Sequence, residues 1–146
     1  GGRSDKNFAR KHEYAWCYSK GDNFLFNADD VRVDRKLSKN IRTGKAYTKG
    51  TIPTCVWEKN NHTTSKDYCG WHATTKNLDI LQRIIKAYTN ENDLVLDCFM
   101  GSGSTAIASK LSNRDYIGCE RDKEYHTRLI DRVNSYDRIN TLSAIL

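Results

Sequence analysis

Apolar residues recur with a helical period in LDILQRIIKAY, where Leu78, Leu81, Ile84, Ile85 and Tyr88 fall on one face. Asn90, Asn92 and Asp93 break that run, and the short apolar stretch LVLD then reads as a buried strand. Ser104 to Leu111 predicts a helix, DYIGCE a second strand, and Tyr125, Leu129, Val133 and Tyr136 mark a final amphipathic helix. The order helix, strand, helix, strand, helix predicts an α/β unit with parallel strands. The first half of the chain has a different rhythm. HEYAWCYS predicts a strand from Glu13 to Ser19, ended by Lys20-Gly21-Asp22, and FLFNA a second. From Asp29 to Tyr68 the chain is polar, with an Asn-Asn-His-Thr-Thr cluster and only Thr51 to Trp57 strand-like, which predicts an irregular insertion.

Composition narrows this picture. A chain of 146 residues is one ordinary domain, and its 38% hydrophobic and 29% charged residues are normal for a soluble protein. With neither a long apolar run nor a targeting pattern, a cytoplasmic protein with no membrane partner is expected. Five cysteines without a CxxC pair fit a reducing compartment. The absence of an initiator methionine leads to the expectation that the natural protein starts upstream of Gly1. The net charge of +6 is concentrated between Arg32 and Gly50, where Arg32, Arg35, Lys36, Lys39, Arg42, Lys45 and Lys49 face one acid, Asp34. Such a run attracts a polyphosphate backbone through counterion release, although a solvated basic loop is the plainer alternative.

The stretch DLVLDCFMGSGSTAIASK carries the chemistry. Gly101, Gly103 and Ala106 satisfy GxGxxG/A, and Glu120 ends the following strand, as in a dinucleotide fold. That fingerprint needs its first glycine in the turn directly after the strand, whereas Cys98, Phe99 and Met100 intervene here. An acid at the strand end, Asp97, repels a pyrophosphate but suits an ammonium group. S-adenosylmethionine has that ammonium and no phosphate, and Glu120 could take both hydroxyls of its ribose. No GK[ST] follows the glycines, which excludes a P-loop.

DCFMGSGST, Asp97 to Thr105, resembles the cofactor signature of the DNA amino-methyltransferases that modify adenine N6 or cytosine N4, with Cys98 where proline is usual and Ser104 where threonine is. YIGCERDKEY resembles the following strand and its terminal acid. WHATTKNLDILQRII resembles a His-Pro-Thr-Gln-Lys-Pro stretch: His72, Thr74 and Lys76 match, while Ala73, Thr75 and Asn77 depart and the missing prolines leave the turn less rigid. GGRSDKNFARKHEYAWCYSKGD resembles the segment after the catalytic strands, and VWE a short strand near the end of a target-recognition insert.

The resemblance is to the circularly permuted group in which the catalytic half precedes the cofactor half. It implies a partial Rossmann-like, S-adenosylmethionine-dependent methyltransferase fold with a small irregular target-recognition insert. The implied division is residues 1–28 as the tail of the catalytic half, 29–68 as the insert, and 69–146 as the cofactor-binding half. Asp97 would face the methionine ammonium and Phe99 would line the pocket. Gly101 and Gly103 would let the backbone approach the ligand, and Ser104 and Thr105 would offer amides to the carboxylate, or cap a helix, or both. Ser102, Arg121, Thr74 and Lys76 complete the implied cofactor contacts. The basic run would meet double-stranded DNA.

The family's Asp, Asn or Ser followed by Pro-Pro and an aromatic cannot be present in a chain whose single proline is Pro53. No catalytic residue is therefore assigned. The chain alone is expected not to methylate, and an upstream catalytic half or a partner chain would supply the motif. The expected function is transfer of a methyl group to an exocyclic amino group of DNA, adenine preferred. A dinucleotide-binding oxidoreductase and a non-catalytic nucleic-acid-binding relic are the alternatives. Cys55, His62, Cys69 and His72 lack paired spacing, so no zinc site is expected. His12 and Glu13 are read as the start of a strand. Tyr14, Trp16, Tyr18, Trp57 and Tyr88 are read as core or interdomain packing residues, and Tyr47 as a groove contact.

Overall fold

The structure, a computed structural model, describes residues 12–58 and 67–143. The opening GGRSDKNFARK, the Asn60 to Thr64 cluster and His62 lie outside the described residues.

Helix α1 spans Leu78–Tyr88 and begins where two side chains satisfy amides that a helix start leaves unpaired. Asn77 accepts from the Ile80 amide at 3.2 Å, and Asp67 accepts from the Leu78 amide at 3.1 Å. Leu78, Ile85 and Ala87 are buried and Leu81 packs beside them, so the apolar face is close to the expected one. Tyr88 falls at its edge and meets Phe26, with ring centroids 5.6 Å apart. The far end of α1 is capped from a distance in sequence. The Asn27 amide donates to the Ala87 carbonyl at 2.8 Å, and its side-chain nitrogen donates to the carbonyls of Lys86 and Thr89 at 3.2 and 2.8 Å. FLFNA is accordingly not a strand: it leads into a short 3₁₀ turn at Ala28–Val31 that packs on α1.

Strands β1, Leu94–Asp97, and β2, Asp115–Gly118, pair in parallel from Leu94↔Asp115 to Asp97↔Gly118. Helix α2, Ser104–Lys110, connects them, and helix α3, Lys123–Ser143, follows. The expected helix and strand order is observed. Ile107 is fully buried between Ala106 and Ala108, and the core joins α1, α2, Met100 and the α3 residues Leu129 and Val133. Parallel sheets are ordinarily covered on both faces. Here Val95 packs on the core, whereas Leu94, Leu96 and Ile117 are 62%, 63% and 53% exposed. One face of the sheet is bare among the described residues.

The expected strand from Glu13 to Ser19 is not formed. An extended segment needs a partner ladder, and none pairs with it among the described residues. Tyr14, Trp16 and Tyr18 are consequently exposed rather than packed in a core, with Tyr14 edge-on to His12 and tilted against Trp16. In the Asp29 to Tyr68 region, Thr51 alone of Thr51 to Trp57 pairs, in a bridge to Val33. Trp57 lies near the Arg83 guanidinium, 5.0 Å from its ring.

Truncating Ile107 to Ala leaves a void that the rigid α2 backbone cannot close, and the loss should be about 2 to 5 kcal/mol. Urea unfolding measures it. A change below about 1 kcal/mol would contradict the core placement.

Candidate cofactor site and its relatives

The glycine loop leaves β1 with a tight local turn: Oδ1 of Asp97 accepts from the Phe99 amide at 2.9 Å. Met100 then donates its amide to the Cys119 carbonyl at 2.9 Å and buries its side chain, which anchors the loop to the end of β2. Gly101 follows at φ +51°, with three residues between it and the strand as the sequence spacing implied. Its amide donates to Oε2 of Glu120 at 2.8 Å, and the Asp122 amide donates to Oε1 at 2.9 Å. These amides, Asp122's first and then Gly101's, hold the Glu120 carboxyl below the usual range and keep it ionised. Each oxygen retains a lone pair for a further donor.

Both glycines are needed by the chain itself. A Cβ on Gly101 would lie 2.8 Å from Nε2 of His72, and one on Gly103, at φ +77°, would lie 3.1 Å from Val133 and 3.4 Å from Leu129. These volumes belong to protein atoms. The helix start corrects the expectation that Ser104 or Thr105 caps α2. The cap position of α2 is Gly103, which has no side chain, and Ser104 is buried instead. Its hydroxyl lies 3.0 Å from that of Ser102 and accepts from Arg132 at 3.1 Å. The Arg132 guanidinium also donates to the Ser102 carbonyl at 2.7 Å and the Asp67 carbonyl at 2.8 Å. One side chain of α3 thus ties the glycine loop to the segment that starts α1.

A cleft of about 410 Å³ opens beside the strand ends, lined by Cys98, Phe99, Cys119, Glu120 and Arg121. It lies within the range of small-ligand pockets. Phe99, Glu120 and Arg121 of the expected set are together there, Asp97 is one residue away, and Phe99 is 89% exposed. Ser102, Gly103 and Ser104 sit buried behind the loop, with Thr105 half-buried. Thr74 and Lys76 are exposed and do not line the cleft. Lys76 forms a surface pair with Glu13 at 2.9 Å. The turn they occupy is nevertheless well held without prolines. Thr75, one of the departures from the family stretch, is buried, and its hydroxyl donates to the His72 carbonyl at 3.0 Å and lies 3.1 Å from Cys69 Sγ. Sequence reasoning gave no role to His72 or Arg132, whose places depend on contacts far apart in the chain. The side chains of Cys55, Cys69 and His72 do not join a metal-ligating group among the described residues.

Residues 1–131 match the model of the N6_N4_Mtase family, described as DNA methylase. The chain belongs to this family. Among curated relatives, the Type II methyltransferase M1.MboII of Moraxella bovis is 36% identical over 141 residues, covering 85% of this chain and 54% of that protein. The Type II methyltransferase M.BglII of Bacillus subtilis is 33% identical, covering 84% of this chain and 36% of that protein. A solved M1.HpyAVI–SAM complex is 45% identical over 40% of this chain and 31% of its own, with a TM-score of 0.38. The chain therefore spans between about a third and a half of the length of these methylases.

Because a left-handed φ costs a residue with a Cβ about 1 to 2 kcal/mol, Gly103→Ala should lower stability by at least that amount, with Val133 adding to it. An unshifted urea midpoint would contradict the packing described. The lowered Glu120 pKa makes a separate prediction. Its stabilising contribution is present above the unfolded glutamate value, about 4.3, and is lost as pH falls through the lower folded value. The stability gap between the parent chain and Glu120→Gln should narrow below about pH 4. A gap constant with pH would mean that Glu120 does not hold the loop.

Proposed function

We propose that this chain is the cofactor- and DNA-binding portion of a site-specific DNA methyltransferase. The reaction is transfer of a methyl group from S-adenosylmethionine to an exocyclic amino group of a base, adenine N6 before cytosine N4. The observation that carries the reading is the Glu120 carboxylate, ionised at the carboxyl end of β2 and bonded to the Gly101 amide beside a small-ligand cleft. Open α/β sheets bind their ligands at that end.

The residues present fit the cofactor. Glu120 can accept from both ribose hydroxyls with its remaining lone pairs, Phe99 offers an apolar wall, and Asp97 supplies an anion for the methionine ammonium through Oδ2, which has no hydrogen-bond partner among the described residues. Ser102, Gly103, Ser104, Thr105 and Arg121 shape the loop and its rim. When bound, the cofactor supplies an electrophilic methyl. The base nitrogen displaces it directly, so positioning provides the rate and no nucleophile of this chain is needed. The Pro-Pro motif that holds the target nitrogen is not in this sequence, which contains only Pro53. Residues outside this chain, in an upstream half or a partner chain, would provide it. The bare sheet face fits that reading, since Leu94, Leu96 and Ile117 await a covering layer. In the proposed division, residues 1–28 belong to the catalytic half, 29–68 to target recognition and 69–146 to cofactor binding. Arg32, Arg35, Lys36, Lys39, Arg42, Lys45 and Lys49 form the surface facing double-stranded DNA.

Calorimetric titration should show heat with S-adenosylmethionine and none with NAD, and Glu120→Ala should weaken cofactor binding at least about tenfold, or about 1.4 kcal/mol. Heat with NAD alone would replace the methyltransferase reading with the oxidoreductase one.

A further inference from the structure

The basic segment is not a loose loop. Val33 pairs with Thr51 and Lys39 with Ala46, both antiparallel, which makes residues 33–51 a two-stranded ribbon. Between the bridges, five residues (34–38) on one arm face four (47–50) on the other, so the ladder is bulged and its backbone pairing interrupted. Arg35 spans that gap. Its Nε donates to the Lys49 carbonyl at 3.0 Å, and its guanidinium lies 3.9 Å from the centre of the Tyr47 ring. The base of the ribbon is clamped by Asp29, which pairs with Arg32 at 2.6 Å and Lys49 at 3.0 Å and is held more acidic by both. Tyr47 is thereby committed within the ribbon. The tip is closed by one residue: the Asn40 amide donates to the Lys45 carbonyl at 2.9 Å, its carbonyl accepts from Gly44 at 2.8 Å, and its Oδ1 accepts from the amides of Arg42 and Thr43.

The seven cations thus divide by what they touch. Arg32, Arg35 and Lys49 hold the ribbon together. Lys36, Lys39, Arg42 and Lys45 are exposed, and their side chains have no partner among the described residues. The last three cluster at the tip. Two strands about 4.8 Å apart with their side chains fill a groove about 12 Å wide, and the minor groove, about 6 Å wide, is too narrow for them. Resting on the DNA-binding reading above, we propose that the closed tip, residues 39–46, enters the major groove of duplex DNA. Arg42 presents its fork to a guanine edge, while Lys36, Lys39 and Lys45 meet phosphates on the flanking strands.

The test uses the 146-residue chain and a mixed-sequence duplex, with S-adenosylmethionine binding by the same samples as a check on folding. The combined variant Lys39→Ala, Arg42→Ala and Lys45→Ala should retain cofactor binding while the slope of log affinity against log salt falls by about 2 to 3 between about 50 and 200 mM salt. Replacing guanine N7 by carbon throughout the duplex should weaken the parent chain and leave Arg42→Lys, which keeps the charge but loses the fork, nearly unaffected. A salt slope equal to the parent's, or parent binding indifferent to the N7 replacement, would overturn the proposal. If the parent chain showed these DNA effects but no heat with S-adenosylmethionine, the cofactor reading would fail and the ribbon proposal would stand.

Discussion

The bond from the Gly101 amide to the Glu120 carboxylate joins two turns that leave neighbouring strands, and the site depends on it. It requires a residue at φ +51° with no Cβ, because His72 fills the space beside it. It also requires a carboxylate kept charged at the end of β2, which the Asp122 amide helps to provide. Once these are met, Met100 can bond to Cys119 and turn its side chain into the core, and the cleft forms between the two strand ends. The glycines are therefore structural first. Their positive φ values and their packing against His72 and Val133 explain them before any ligand is considered.

Periodicity carried the part of the fold that is local. The α1 and α3 faces were legible because burial in them repeats at helical spacing, and the pair LVLD and DYIG because each is a short apolar run bounded by polar breakers. The acid at the end of β2 was legible too, since spacing alone places Glu120 at a strand terminus. What stayed hidden joins residues distant in sequence. Asn27 caps α1 across about sixty positions, and Arg132 links the glycine loop to Asp67. No local pattern announces such contacts. The aromatic run around Trp16 misled for a related reason: alternation suits a strand, yet a strand exists only where another chain segment completes the ladder.

The insert shows how charge can obscure structure. In sequence the run from Arg32 to Lys49 reads as one undivided patch of positive charge, but three of its cations are spent on Asp29, Tyr47 and backbone carbonyls. These contacts stiffen a ribbon whose own ladder is interrupted, and among the described residues they leave Lys36 along its length and Lys39, Arg42 and Lys45 at its tip without a side-chain partner. The helical core and this ribbon are also built on different physics. The core is held by apolar burial around Ile107, whereas the ribbon is held by guanidinium contacts and one asparagine.

The central claim is that the Gly101–Glu120 link builds the ribose end of a cofactor site. A crystal structure of the chain soaked with S-adenosylmethionine tests it most directly. The account predicts both ribose hydroxyls donating to the Glu120 carboxylate at about 2.7 Å, with the Gly101 amide bond intact. A bound ligand whose ribose lies away from Glu120, or a loop that releases Gly101 to admit it, would contradict the account.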